Sequence, residues 1–367
     1  MPEEQITIRW GIISTGGIAR SFIKDLLIDP RTRRTHDVVH KAVAVGSRTI
    51  ESARAFIDSN AGGDKSIKAY GTYAEVYTDP EVDAIYIGTP HTLHYENAVD
   101  AIKAKKHVLV EKAATSNAAE WRALCVLAKE AGVFLMEAMW TRFQPVAHEV
   151  KKVIDEGNLG APVVMHGDLS GDFDLDNIPP THRILDPRLG GGAILDLGPY
   201  PLVWAVIALY EYSANNKGTP SVSASIIKTR ITGVDRNTSF TLNFPDIDAQ
   251  AVLSCSINLP ATPIGATIRF RNGNIIIPHP LYCPKEYTVQ YFDKPGGNEV
   301  YKQVTTKVPY VGMGLHFEAD ELARCVRDGK LESELWGHNK TLLAMTVYDE
   351  VRRQGDYKFP EGVEKVF

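Results

Sequence analysis

Residues 108–117 read VLVEKAATSN, an apolar run that stops on an acid and a base side by side, Glu111 and Lys112. Farther along, LGGGAILDLGPYPL (189–202) delivers Asp196 and Tyr200 out of a glycine-rich approach. A phenol with an unperturbed pKa of about 10 is a poor base at neutral pH. A nearby ammonium favours the phenolate and makes it a usable one. Lys112 with Tyr200 is therefore a candidate pair for taking a hydroxyl proton while a hydride leaves the carbon. Plainer readings stand beside this one. Lys112 could be a solvated lysine at a strand end, and Tyr200 a core residue opening the apolar stretch YPLVWAVIALY. Asp196 could cap a helix, contact a substrate hydroxyl, or do both. The glycines could let backbone pass close to a ligand or form a flexible loop.

The stretch STGGIA (14–19) suits a different task. It fits G-x-G-x-x-[GA] with Ser14 at the first glycine position, followed by Thr15, then Gly16 as the second glycine. Gly17 and Ile18 lead to Ala19 at the third. Gly16 lets backbone approach a pyrophosphate, Ala19 permits close helix–sheet packing, and the helix start beyond Gly17 favours an anion. The bland alternative is a turn that only joins strand to helix. VGSRT (45–49) sits where an NAD site usually carries an acid for the ribose 2′-hydroxyl, and it has none. Ser47 and Arg48 suit a 2′-phosphate, so the expected cofactor is NADP rather than NAD. A solvent-exposed Ser-Arg pair in a helix's first turn is the alternative.

Positioning these residues needs a particular scaffold. Strand patterns at 6–14, 38–47, 82–90, 107–113 and 133–140 alternate with helical patterns at 17–29, 50–60, 93–105 and 117–132. Asn117 with Glu120 three residues on marks the start of the last helix. Such alternation implies a parallel α/β sheet with ligands beyond the strand C-termini. Ser14–Ala19, Ser47–Arg48, Thr89–Pro90–His91, Glu111–Lys112 and Trp140–Thr141–Arg142 all follow strand ends, so five separated segments can share one crevice. His91 and His94 lie three apart, but no third ligand stands at metal spacing, and no metal is expected. Trp140 and Arg142 could be linker residues. His182, in PTHRILDPRLGG, could bond substrate or merely occupy a surface loop.

The chain has 367 residues, which makes two domains the sensible prior. Apolar residues are 44% and charged residues 23%, a globular balance, and a net charge of −5 gives no basic footprint for nucleic acid or anionic membrane. Cys125, Cys255, Cys283 and Cys325 show no metal or redox spacing, which points to reduced thiols in a cytoplasmic protein. The opening MPEEQITIRW lacks a secretory apolar core, and PLVWAVIALY (201–210) is too short to span a bilayer. From Phe143 the texture changes. A helix at 144–160 and a strand at 162–170 precede alternating patterns at 221–230, 237–245, 248–260, 266–280 and 285–293, read as antiparallel hairpins. Helices at 313–330 and 339–355 follow. The expected division is a Rossmann domain over 1–142 and an α+β domain with a large open, mainly antiparallel sheet over 143–367, its last helices packing back on the first domain.

WGIISTGGIA, YGTYAEVYTDPEVDAIYIGTPHTLHYENAVDAIKAKKHVLVEKAAT and GGGAILDLGPYPL resemble, in order, the motifs of the glucose–fructose oxidoreductase/inositol dehydrogenase/rhizopine-catabolism (Gfo/Idh/MocA) family. The similarity covers nearly the whole chain. MEAMWTRFQP, LDLGPYPL and HFEADELARCVRDGKLES resemble its eukaryotic branch of NADP-dependent sugar and dihydrodiol dehydrogenases. Two departures stand out: Ala113 replaces the proline of the usual E-K-P, and Tyr200 stands where many members have histidine, as is characteristic of that branch. The resemblance implies an NADP-dependent oxidation of an aldopyranose at C1, D-xylose to D-xylono-1,5-lactone being preferred and trans-dihydrodiol oxidation the alternative. A non-catalytic NADP-sensing regulator of the same fold is the alternative of another class. Lys112 and Tyr200 would be catalytic, and Thr89, Pro90, His91 and Glu111 would line the cofactor. Trp140 would stack on the sugar, Arg142 would bind a hydroxyl or cofactor phosphate, and His94 would pack or hydrogen-bond. The open sheet would be covered by a homodimer partner.

Overall fold

Short buried apolar runs build the first sheet of the computed structural model, which describes residues 5–367. The strands are β1 (Ile6–Ile13), β2 (Val38–Gly46), β3 (Lys68–Tyr70), β4 (Ala84–Ile87), β5 (His107–Glu111) and β6 (Leu135–Ala138). All neighbours pair in parallel in the order β3-β2-β1-β4-β5-β6. Every residue of β4 and β6 is buried, as expected for strands covered on both faces. The order turns back between β1 and β4, so the crevice for a ligand lies beyond the carboxyl ends of those two strands.

The connecting helices are α1 (Gly17–Leu26), α2 (Ile50–Asn60), α3 (Tyr73–Thr78), α4 (His94–Lys103) and α5 (Ala118–Ala131). Their starts are chemically marked. Thr49 accepts the Ser52 amide, Thr72 and Glu75 form a capping box, and Asn117 accepts the Glu120 amide at 2.9 Å. Gly132 closes α5 at φ 68°, a left-handed cap that glycine adopts without Cβ strain.

The second sheet follows α6 (Pro145–Asp155). It comprises β7 (Pro162–Ser170), β8 (Ser221–Lys228), β9 (Asp235–Phe244), β10 (Ala249–Ser256), β11 (Ile264–Phe270), β12 (Gly273–Pro278), β13 (Glu286–Phe292) and β14 (Val300–Lys307). The order is β14-β13-β12-β11-β7-β10-β9-β8. One pair, β7 with β10, is parallel; the other pairs are antiparallel. Met165, Phe240, Leu242, Leu253 and Ile268 point into the core, with α7 (Ala193–Asp196) and α8 (Pro199–Ala205) packed over that face. A π-helical turn, Val206–Tyr210, extends α8. Residues 187–210 are long and apolar enough to cross a bilayer by composition, but the apolar window is wholly buried, as in a core helix. The opposite sheet face carries His166, Asp168, Ser239, Val252 and Ser254, all at least partly exposed.

Two compact units result. The first holds the chain up to Trp140 together with Tyr310–Leu342 and Glu364–Phe367; the second holds Thr141–Pro309 and Leu343–Val363. A boundary at 142/143 was expected from sequence, with the last helices packing back on the first domain. The structure groups α9 (His316–Arg327) with the first unit and divides α10 (His338–Gln354) between the two. The reason for α9 is electrostatic as well as apolar. Asp320 takes Arg33 at 2.7 Å and His40 at 2.9 Å, and Asp37 takes Arg324 at 2.8 Å and Arg327 at 3.1 Å. Asp25 accepts the amides of Met313, Gly314 and Leu315 just before the helix.

Candidate active site

In the first unit the expected nucleotide loop leaves the end of β1. Ser14 adopts φ 92°, the left-handed region where the usual glycine is free of strain. Its hydroxyl accepts the Gly16 amide at 3.2 Å, a local bond that helps hold this conformation. No side chain caps the first turn of α1 and no acid stands in it. A Cβ on Gly17 would meet nothing within 4 Å, so there is open space beside the start of this turn. Thr15 reaches Ser47 at the end of β2, hydroxyl to hydroxyl at 3.3 Å. Ser47 is buried and Arg48 exposed, and among the described residues no carboxylate pairs with Arg48. Ala19 touches the next strand's exit: a Cβ on Gly88 would stand 3.3 Å from that of Ala19.

His94 joins the exits of β4 and β5. Its Nε2 lies 2.8 Å from the Thr89 carbonyl and its Nδ1 2.9 Å from that of Ala113. Complete burial holds the ring neutral, with its pKa pushed down to about 4, so one nitrogen donates at a time. The hydrogen-bonding role expected for His94 is what the structure shows. Thr89 Oγ1 accepts from Asn97 at 3.0 Å, Pro90 precedes a short 3₁₀ turn, and His91 is buried with its ring 5.7 Å from that of His94.

Glu111 ends β5, almost fully buried, and accepts the Tyr86 hydroxyl at 2.6 Å. Burial pushes its carboxyl up to about 7, against the pull of Tyr86 and of Lys112. Lys112 follows at 8% exposure, and its peptide bond to Ala113 is cis. Glu137, from β6, accepts the Ala114 amide at 3.1 Å and the Trp336 indole at 2.8 Å, which braces the backbone just past Lys112.

In the second unit the glycine-rich loop turns into α7 and α8. Asp196 ends α7 and pairs with Arg183 at 3.2 Å. Tyr200 lies in the first turn of α8, 7% exposed, its ring 5.3 Å from that of Tyr282. His182 accepts the Ile184 amide through Nδ1 at 3.4 Å in the loop before it. Arg142 is buried and engaged by Glu211 at 3.1 Å, at the end of the π-helical turn, while its Nη1 is buried without a hydrogen-bond partner among the described residues. Trp140, expected to stack on a sugar, is 2% exposed.

Sequence reasoning missed Tyr86, Glu137, Tyr282 and Asp235. Tyr86 alternates with apolar neighbours and reads as core; only its pairing with Glu111 marks it. Glu137 was more legible, since a lone acid in the buried run VFLMEAMW needs a partner.

An open dinucleotide loop at a Rossmann switch point and a buried lysine two strands away define a nucleotide-dependent oxidoreductase. The comparisons agree. Residues 8–139 match the oxidoreductase family with the NAD-binding Rossmann fold, and residues 147–276 match the GFO/IDH/MocA C-terminal domain. The chain belongs to the Gfo/Idh/MocA oxidoreductase family. It is 36% identical to the D-xylose 1-dehydrogenase (NADP(+)) of Hypocrea jecorina, covering 97% of this chain and 94% of that protein. It is 32% identical to the trans-1,2-dihydrobenzene-1,2-diol dehydrogenase of Danio rerio, covering 95% and 97%. Among solved structures it shares its fold with a levoglucosan dehydrogenase, at TM-score 0.80, 18% identity and coverage of 96% and 98%. A 3-ketoreductase from Actinomadura kijaniata gives TM-score 0.79, 22% identity and coverage of 95% and 98%.

Proposed function

We propose that this protein oxidises an aldopyranose at C1 with NADP, D-xylose to D-xylono-1,5-lactone being the preferred reaction. The observation that carries the reading is the 36% identity, over 97% of the chain, to a D-xylose 1-dehydrogenase (NADP(+)). The residues present suit that cofactor: the first turn of α1 is uncapped, Gly17 is open, and Arg48 is exposed without an acidic partner among the described residues. Ser14–Ala19 would hold the pyrophosphate through backbone amides, and Ser47 with Arg48 would hold the 2′-phosphate. Thr89, Pro90 and His91 would line the ring.

When bound, NADP supplies the hydride acceptor. Tyr200 takes the proton of the C1 hydroxyl, and the Lys112 ammonium makes the resulting charge less costly. Asp196 would accept a further sugar hydroxyl, and His182, in the loop before α7, would bond substrate. The 32% identity to trans-dihydrodiol dehydrogenases supports a second reading, oxidation of a cyclic diol by the same groups. Reduced-cofactor absorbance with a panel of aldopyranoses and a trans-dihydrodiol separates the two. Turnover of D-xylose supports the first, turnover of the diol alone the second, and no turnover with NADP still bound overturns both.

The second sheet leaves one face uncovered in the single chain, with Val252 and Ile227 standing among serines. We propose that a second copy covers it, since two-fold symmetry lets one face pair with itself. Sedimentation should give a dimer, and Val252→Asp a monomer; a monomeric parent overturns the proposal.

A further inference from the structure

The turn carrying Asp196 and Tyr200 is held by a carboxylate outside the chemistry above. Asp235 opens β9 with no exposed surface. Its Oδ2 accepts the Ile194 amide at 2.7 Å and the Thr238 hydroxyl at 2.8 Å, and the Ala193 amide also faces it. The loop can approach so closely only because residue 192 is glycine. A Cβ there would stand 1.9 Å from Asp235 Oδ1, and the backbone φ is 111°. From this anchor a chain of backbone bonds runs to the candidate base. The Ala193 carbonyl accepts the amides of Leu197 at 2.8 Å and Gly198 at 3.1 Å, and the Leu197 carbonyl accepts that of Tyr200 at 3.2 Å. Gly198 is as tightly seated, its added Cβ falling 2.4 Å from the Ile194 carbonyl.

We propose that Asp235 is a positioning residue for the oxidation, fixing the turn that sets Asp196 and Tyr200 through the Ile194 amide. This rests on the functional reading above. Burial pushes the Asp235 carboxyl up to about 7 against these bonds, so above that pH it is a carboxylate, which holds an amide more firmly than a neutral acceptor does. Small misplacements at a reacting centre are costly. Thr238 serves the same end by holding Oδ2 in place.

The test compares Asp235→Asn, Asp235→Ala and Thr238→Val in the full chain, with turnover, cofactor titration and amide exchange by mass spectrometry. Asn retains one acceptor, so kcat should fall about 10-fold with Asn and about 100-fold with Ala, while the KM for NADP stays within about twofold. Thr238→Val should fall between the parent and Asn. Amides 193–200 should exchange faster in each variant. Parent-like kcat in a folded Asp235→Ala, or equal losses in kcat and cofactor affinity, overturns the proposal. Should Ala not fold, Asn and Thr238→Val carry the same comparison. Unchanged exchange across 193–200 also overturns it, whether or not any substrate turns over. Absence of turnover in the parent, by contrast, counts against the functional reading, and the exchange data then decide the role of Asp235.

Discussion

Tyr86 donates its hydroxyl to Glu111 Oε1 at 2.6 Å and so joins the interior of β4 to the residue before Lys112. The bond is buried at both ends and favours the charged carboxylate, which burial opposes. Because the folded pKa of Glu111 is raised from 4.5 to about 7, its contribution to stability is full below 4.5 and is lost as pH rises through about 7. Tyr86→Phe removes the charge-assisted donor and should cost about 1–3 kcal/mol above that pKa. Below it, where the carboxyl is neutral, the cost should shrink. Urea unfolding on both sides of neutrality checks this; an equal loss at both pH values would contradict it.

Ser14 keeps a left-handed backbone with a side chain attached, and its hydroxyl binds the Gly16 amide. Ser14→Ala keeps the strain and loses the bond, so it should destabilise by about 1 kcal/mol. Ser14→Gly relieves the strain and should be the more stable of the two variants, with the tighter NADP complex. Thermal denaturation with and without cofactor ranks them, and the reverse order would refute the assignment.

Arg48 offers an exposed guanidinium at the end of β2, with no acid among residues 45–49. Arg48→Ala should raise the KM for NADP by about 10-fold or more while leaving that for NAD nearly unchanged. Steady-state kinetics with both cofactors settles it. Equal changes would place the 2′-phosphate elsewhere.

Asp37 is clasped by Arg324 and Arg327, which hold its carboxyl down at about 2. Its stabilising contribution is therefore present above 3.8 and fades as pH falls through about 2. Arg324 is partly exposed, so Arg324→Ala should cost only about 1 kcal/mol near neutral pH. The gap between variant and parent should close as pH falls, read from urea midpoints.

The Rossmann half was legible because its signals are local: buried runs, caps such as Asn117, and a glycine turn after β1. β3 and α3 were missed because three and six residues are too few for a period to emerge, although Thr72 and Glu75 spell a capping box. In the second unit the hairpins up to β13 were readable from their turns, but β14 (Val300–Lys307), exposed along almost its whole length, shows no buried alternation and was missed. The parallel pairing of β7 with β10 was not readable, since strands so far apart in the chain share no turn to announce it. The ion pair of Arg142 with Glu211 was not legible either, since Glu211 lies 69 residues away with nothing local to mark it. Asp235 was invisible for the same reason: an acid opening a strand looks solvated until Ile194 and Gly192 close over it.

The association of α9 with β1 and β2 has a bearing on biosynthesis. A nascent polypeptide that has left the ribosome only as far as Pro309 holds every strand of both sheets but lacks α9. Until that helix emerges, Arg33 and His40 wait without Asp320, and Asp37 without its two arginines. The first unit to be translated is thus completed only after the whole of the second sheet, and termination between Pro309 and α9 would strip charge partners from the nucleotide-binding half.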